Sequence, residues 1–363
     1  MNTLIVKTDE SHIEETLKIC TELLKSGELV AFPTETVYGL GGNGLDADAS
    51  RKIYAAKGRP SDNPLILHIG EKDQLYGLVK SVPESAEKLM EAFWPGPLTM
   101  ILPKADCVPY ATSGGLDTVA VRMPSHPVAH ALLKYSRIPV AAPSANLSGR
   151  PSPTTLQHVI DDMDGRIAAI MDGGSAGIGV ESTIIDLTGE VPMLLRPGYI
   201  TKEQLEAVLG TVEEDPAIRR DSIIHHTNAV AHPKAPGMKY RHYAPKAEVT
   251  VLYGTPEEVA AAVNRMAKET SGILTVEEHK GLYPVGKVLS VGTLKDPETV
   301  AHNLFDVLRQ FDDLSVTEIY SEDFTDIDIG TAIMNRLLKA AGGRYYNAKN
   351  YPEGENSYDS SRL

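Results

Sequence analysis

Short hydrophobic runs alternate with stretches of helical periodicity along most of the chain. LVAF (29–32) reads as a short buried strand, and PLILHI (64–69), LTMILP (98–103), TVAVRMP (118–124), IPVAAPSA (138–145) and IAAIMD (167–172) as further strands. DASRKIYAAKGR (48–59) predicts a helix with Ile53 and Ala56 inward, stopped by Gly58 and Pro60. SAEKLMEAFW (85–94) predicts another, ended by Pro95-Gly96-Pro97. STIIDL (182–187) and PMLLRPG (192–198) form a hairpin pattern with Gly189 in its turn. TKEQLEAVLG (201–210) is a helix with Thr201 as N-cap and Gly210 as C-cap. Strands mixed with helices define an α/β domain over 1–210.

The pattern then lapses. Residues 211–247 carry charge, His225-His226, Pro233, Pro236, Gly237 and Pro245 with little periodicity, and read as an inter-domain linker. It restarts at 248. EVTVLYG, SGILTVE, KVLSVG and TEIYSE are strands; PEEVAAAVNRMAKE, PETVAHNLFDVLRQF and GTAIMNRLLKAAG are helices. Residues 248–345 are therefore expected to form a Rossmann-like three-layer α/β domain. The polar tail 346–363 is expected to hug the surface or fray.

Composition narrows the function. The 363 residues suit two or three domains, and 42% hydrophobic with 23% charged residues is ordinary for a globular protein. Lys and Arg number 35 against 49 Asp and Glu, a net charge of −14. Such acidity argues against a broad nucleic-acid-binding face, though not against a local basic pocket. Cys20 and Cys107 have no metal or redox spacing, as expected in a reducing cytoplasm. The N-terminal MNTLIVKTDE does not read as a signal peptide. No run reaches the roughly 18 apolar residues of a membrane span.

Several pattern matches fail on context. GLGGNG (39–44) fits G-x-G-x-x-G, but the acidic residue about 20 positions on, Asp62, falls in the loop SDNP before the next strand. GGSAG (173–177) fits G-x-S-x-G, but glycines and a strand follow where a nucleophile elbow needs a helix. GLYPVGKV (281–288) nearly fits the P-loop, yet Val288 replaces the magnesium-holding hydroxyl and a strand follows. No H-E-x-x-H occurs among the 11 histidines, so no metal ligands are assigned.

Other stretches carry chemistry. In FPTETVYGLGGNG (32–44) a strand opens into hydroxyls and glycines, suited either to gripping a small polar ligand or to a plain Gly-rich turn. In KGRPSDNPLILH (57–68), Lys57 and Arg59 sit at a helix end, where they could complement its dipole or, held by a proline-stiffened loop, bind phosphates. His68 ends an apolar strand, the setting of a satisfied core histidine as much as of a ligand-binding one. Arg122 lies inside TVAVRMP and needs an anionic partner, either an internal Asp or Glu or a ligand. Ser144, Asn146 and Ser148 in APSANLSG follow a strand, where α/β folds place ligand groups. The linker segment KAPGMKYRHYAPK (234–246) holds cations and two tyrosines but no acid, and reads as a lid over a nucleotide or as a surface connector.

Together the PTET-YGL, KGRP-NPL-H, SAN-SG, G-EST and RPG segments, in that order, resemble the YrdC-type family of L-threonylcarbamoyladenylate synthases. The linker and AIMNRLLKAAGG resemble that family's long, two-domain form. The resemblance spans nearly the whole chain. It implies a twisted, open α/β domain with a cationic cavity, followed by the smaller Rossmann-like domain. It implies a reaction in which L-threonine, bicarbonate and ATP give threonylcarbamoyl-AMP and pyrophosphate. A downstream tRNA threonylcarbamoyl transferase complex then modifies adenosine 37 of tRNAs reading ANN codons; direct tRNA binding is expected to be weak or absent. By the same carry-over, Thr36, His68, Arg122, Ala142 and Ser182 hold threonine. Arg59, Asn63, Thr118, Ser144, Ser152, Arg196, Tyr240 and Tyr243 hold ATP. Lys57 and Arg59 act on the phosphates.

The chemistry joins three anions, which calls for converging cations; Lys57, Arg59, Arg122 and Arg196 are the candidates. Attack of a carbamate oxygen on the α-phosphate needs positioning and charge neutralisation more than a protein nucleophile. Mg2+ is expected to arrive with ATP. Three competing readings remain: an RNA-binding module with a cationic cavity and no ATP turnover, a carbamoyl-transfer enzyme of the hydrogenase-maturation type, and a nicotinamide oxidoreductase. Net charge disfavours the first, two cysteines are too few for the second's zinc fingers, and no complete glycine fingerprint supports the third.

Overall fold

The computed structural model describes residues 2–225, 233–236 and 242–352. Tyr240 lies outside them. The described residues form two units: 2–148, 152–215 and 233–236 in one, 149–151, 216–225 and 242–352 in the other. Residues that the sequence assigns to a linker thus divide between the two.

The first unit is built on β1 (Leu4–Lys7), β2 (Val30–Phe32), β3 (Gly39–Asn43), β4 (Ile66–His68), β5 (Leu98–Pro103), β6 (Thr118–Arg122), β7 (Val140–Ala141), β8 (Ala169–Asp172), β9 (Thr183–Asp186), β10 (Met193–Arg196) and β11 (Glu213–Glu214). Among the described residues they join one mixed sheet, ordered β1-β8-β2-β3-β7-β4-β6-β5-β9-β10-β11. The predicted hairpin is the antiparallel pair β9–β10. Helix Ile13–Lys25 packs Leu17, Cys20 and Leu24 with Val30, Phe32, Leu132, Leu133 and Val140. Helix Ala47–Lys57 begins where the Asp46 carboxylate accepts from the Asp48 amide and ends at Gly58, in the left-handed conformation glycine favours. Its buried face includes Ile53 and Lys57, with Ala56 half-buried.

Several expectations change. The run 138–145 is a strand only over Val140–Ala141, because Pro139 and Pro143 lack ladder donors. Beyond it the pairing is irregular, with Ala142 donating to Ile66, Leu40 to Pro143 and Ala145 to Tyr38. The glycine-rich stretch is neither turn nor phosphate loop but β3, antiparallel to β2 and β7. Its glycines allow close approach: a Cβ on Gly41 would stand 2.8 Å from both Phe32 and Val140. The linker holds β11 and the helix Arg220–His225. The tail contributes Tyr346 and Asn347 to a strand.

The second unit contains β12 (Glu248–Tyr253), β13 (Ser271–Thr275), β14 (Lys287–Ser290), β15 (Glu318–Glu322) and β16 (Tyr345–Asn347), all parallel and ordered β14-β13-β15-β12-β16. Thr255 and Glu258 form a capping box that starts helix Pro256–Met266. Helices Glu298–Asp313 and Gly330–Ala340 complete the Rossmann-like arrangement.

Candidate active site

Strand register assembles the site. Residues paired across neighbouring strands share a sheet face, as do residues two apart on one strand. His68 pairs with Val140 and Arg122, Arg122 with Thr99, Thr99 with Ile184, and Ile184 with Arg196. One face therefore carries His68, Arg122, Thr99 and Arg196. By alternation it also carries Thr118, Ala142 just past β7, and Ser182 just before β9. Ala235 packs on the same face, in a cluster with Ile66, Ala120 and Ile184.

Two polar networks meet there. In the first, Arg122 donates to the Thr36 hydroxyl at 2.8 Å and to the Gly96 carbonyl at 3.3 Å. Its Nη2 lies 2.7 Å from Glu35 Oε1. The anion Arg122 requires is thus supplied internally. The PTET loop is held by Ile178 and Gly179, whose amides donate to the Glu35 and Thr36 carbonyls at 2.7 and 3.1 Å. This sets the G-EST segment beside it. In the second network the Ser182 and Thr99 hydroxyls are 2.8 Å apart, and Arg196 donates to the Ser182 hydroxyl at 3.1 Å and its carbonyl at 2.9 Å. Arg196 also reaches the Pro236 carbonyl at 3.5 Å. The in-register pair Thr99–Arg122 joins the networks.

His68 is buried, its Nδ1 3.2 Å from the Ile66 carbonyl, so that nitrogen carries a proton. Burial first, then the Arg122 charge, pushes its pKa down to about 3, and the ring is neutral.

The remaining residues lie toward the amino ends of β4 and β6, about 13 Å along β6 from Arg122. The Lys57 ammonium is buried and donates to the Ser144 carbonyl and to Asn146, whose carbonyl is 2.6 Å away. This ties the helix end to the SAN segment. Arg59 donates to the Asn63 and Pro64 carbonyls at 3.3 and 3.1 Å. The Asn63 side-chain oxygen is buried with no hydrogen-bond partner, an acceptor whose capacity is unused. Ser144 bridges to Gly39.

The structure therefore groups Thr36, His68, Arg122, Ser182 and Arg196 at one end of the face, and Lys57, Arg59, Asn63, Thr118 and Ser144 at the other. Ala142 lies between. Arg196, assigned by resemblance to the nucleotide, sits with Ser182 rather than with Arg59. The buried Ser152 hydroxyl donates to Glu181, next to Ser182. Tyr243 belongs to the second unit, where its ring stacks on Phe305 at 5.2 Å. Sequence reading gave no role to Glu35, Thr99 or Glu181. Thr99 carries no local signal, since only strand register reveals it; Glu35 and Glu181 lay inside quoted segments, and for Glu35 the clue was the anionic partner that Arg122 needs.

Comparison with known proteins agrees with this architecture. Residues 22–198 match the Sua5/YciO/YrdC family model, described as telomere recombination. Residues 200–342 match the threonylcarbamoyl-AMP synthase C-terminal domain. The chain belongs to the threonylcarbamoyl-AMP synthase family, in its two-domain form. It is 52% identical to threonylcarbamoyl-AMP synthase of Bacillus subtilis, covering 89% of this chain and 92% of that one. It is 47% identical to the Pyrococcus abyssi protein of the same name, over 94% and 98%. A solved structure of P. abyssi Sua5 complexed with L-threonine matches with a TM-score of 0.86 at 45% identity, over 96% and 99% of the two chains.

Proposed function

We propose that this enzyme makes L-threonylcarbamoyl-AMP from L-threonine, bicarbonate and ATP with release of pyrophosphate. The product passes to a tRNA threonylcarbamoyl transferase acting on adenosine 37. The observation that carries this reading is the single sheet face with two buried arginines: Arg196 donates to the Ser182 hydroxyl, which meets that of Thr99, the residue in register with Arg122. Buried guanidinium groups beside hydroxyls suit a small anion that also bears a hydroxyl, as L-threonine does. The other end of the face, with Arg59, Thr118, Ser144 and the unpartnered Asn63 oxygen, suits a nucleotide. Full-length similarity to named synthases supports the same reaction.

The protein's part is positional. Arg122 and Arg196 neutralise carboxylate and phosphate charge, the Thr36 and Ser182 hydroxyls orient threonine, and Lys57 fixes the SAN segment. Among the described residues no three His, Cys, Asp or Glu side chains are grouped to hold a metal ion. Mg2+ enters on ATP in this reading, held by phosphate oxygens and water, where it supplies charge neutralisation. No described helix is long and apolar enough to cross a membrane.

Pyrophosphate release from ATP by the purified full chain tests the proposal. Release should require both L-threonine and bicarbonate, and should fall when serine or valine replaces threonine. Threonine-independent release, or none from folded protein that binds ATP, would refute it.

A further inference from the structure

The least satisfied part of the first unit is the Glu35–Arg122 pair. Both Glu35 carboxylate oxygens and Arg122 Nη2 are buried without a hydrogen-bond partner. Charge separation is short, 2.7 Å, yet no hydrogen on Arg122 Nη2 is aimed at the carboxylate. Buried polar groups are rarely left in this state unless another molecule completes them. Arg122 nonetheless has a fixed orientation, set by Thr36 and Gly96.

Glu35 is ionised. Burial raises its pKa, but the Arg122 guanidinium charge beside it outweighs that and holds it below the usual carboxylate range. Two histidines feel its charge, His68 and His126, and burial lowers the pKa of both, so neither supplies a cation. The site thus keeps one negative and one positive charge together, poorly aligned, beside the sheet face described above.

We infer that Glu35 is a specificity-determining residue that receives the α-ammonium group of the amino acid substrate while Arg122 receives its carboxylate. The inference rests on the proposed function. An α-amino acid is a zwitterion, and its two charges complement the Arg122–Glu35 pair in sign and in order. Its binding exchanges one misaligned internal pair for two aligned external ones, so no net charge is buried. Glu35, with its lowered pKa, holds and orients the amine and is not suited to take its proton. The residue therefore selects α-amino acids against 2-hydroxy acids of the same skeleton.

Isothermal titration calorimetry on the full chain tests this with L-threonine and 2,3-dihydroxybutyrate, in which a hydroxyl replaces the amine. The wild-type chain should prefer threonine by about 10- to 100-fold or more, because a site built for a charged donor rejects its loss strongly. Glu35→Gln should lose most of that preference, with weaker threonine binding and unchanged or tighter hydroxy-acid binding, while still binding ATP. Glu35→Asp should retain the preference. Equal loss of both ligands in Glu35→Gln, or an unaltered preference, would overturn the inference while leaving the synthase reading intact. A wild-type chain that binds both ligands equally would overturn it without any variant, covering the case in which Glu35→Gln does not fold. A wild-type chain that binds no threonine would remove both readings.

Discussion

Two buried carboxylates, one in each unit, show opposite ways of using the same group. Glu322 ends β15 in the second unit and has a partner on each oxygen. His279 Nδ1 and the Tyr283 hydroxyl each lie 2.7 Å from its oxygens, and the Thr275 hydroxyl donates as well. It stands at the carboxyl ends of β13 and β15, where parallel sheets commonly bind ligands, but both its oxygens already accept from side chains of its own unit. Glu35 has a cation beside it and no aligned donor. The contrast teaches that position in a fold is a weaker sign of a binding site than hydrogen-bond capacity left over. A satisfied buried carboxylate holds elements together; an unsatisfied one beside a fixed cation is ready for a partner.

The comparison is broken most forcefully by Arg122→Ala. Removing the guanidinium leaves Glu35 as an isolated buried charge, expected to cost about 3–5 kcal/mol of stability. In protein that still folds, threonine affinity should fall roughly 10- to 150-fold, the loss of a charged hydrogen bond of about 1.5–3 kcal/mol. Chemical denaturation together with calorimetry reads both, and unchanged threonine binding would remove Arg122 from the site. Glu322→Ala should act on stability alone. Three donors lose their acceptor, so denaturation should show a loss of about 2–3 kcal/mol, with threonine affinity as in the wild type. A fall in threonine affinity at that position would erase the distinction between the two carboxylates.

The third test sharpens the electrostatic side. The pKa of His68 is lowered from 6.5 to about 3 in the folded chain, so between these values the unfolded chain binds more protons. Stability therefore falls as pH drops through this window, by up to about 1.4 kcal/mol per pH unit. The His68 contribution should be absent above the unfolded-state pKa. Denaturation midpoints at pH 7 and pH 5 for wild type and His68→Asn should show a shallower pH dependence in the variant. Identical slopes would mean that His68 is not held neutral by burial.

Much of this was legible in the sequence, for particular reasons. Thr201 and Gly210 mark their helix because capping is a local matter of side-chain oxygens and backbone angles, and the structure shows the full capping box with Gln204. Arg122 announced a partner because an apolar strand cannot leave a charge unpaired. What escaped was non-local. The glycines of β3 imitate a phosphate-binding loop, but their cause is the close approach of Phe32 and of Val140, and Val140 lies far outside any window around residue 41. Thr99 enters the site only because β5 runs antiparallel to β6 in a register that sets it opposite Arg122. A sequence can show that a charge needs a partner; it cannot show whether the partner's hydrogen bonds are well aimed.

The same glycines bear on how the enzyme's substrate range can change. At Gly44 an added Cβ would lie 2.2 Å from Leu67 and 2.8 Å from the Pro139 carbonyl, and at Gly39 it would meet Ala142 at 3.3 Å. Any enlargement there separates β7 from its neighbours before it reaches a ligand, and His68 and Ala142 are carried by those strands. Adaptation to a larger or smaller amino acid is therefore closed along the floor of the sheet. It is left to the loops that carry Thr36 and Ser182, where a side chain can be exchanged without moving a strand.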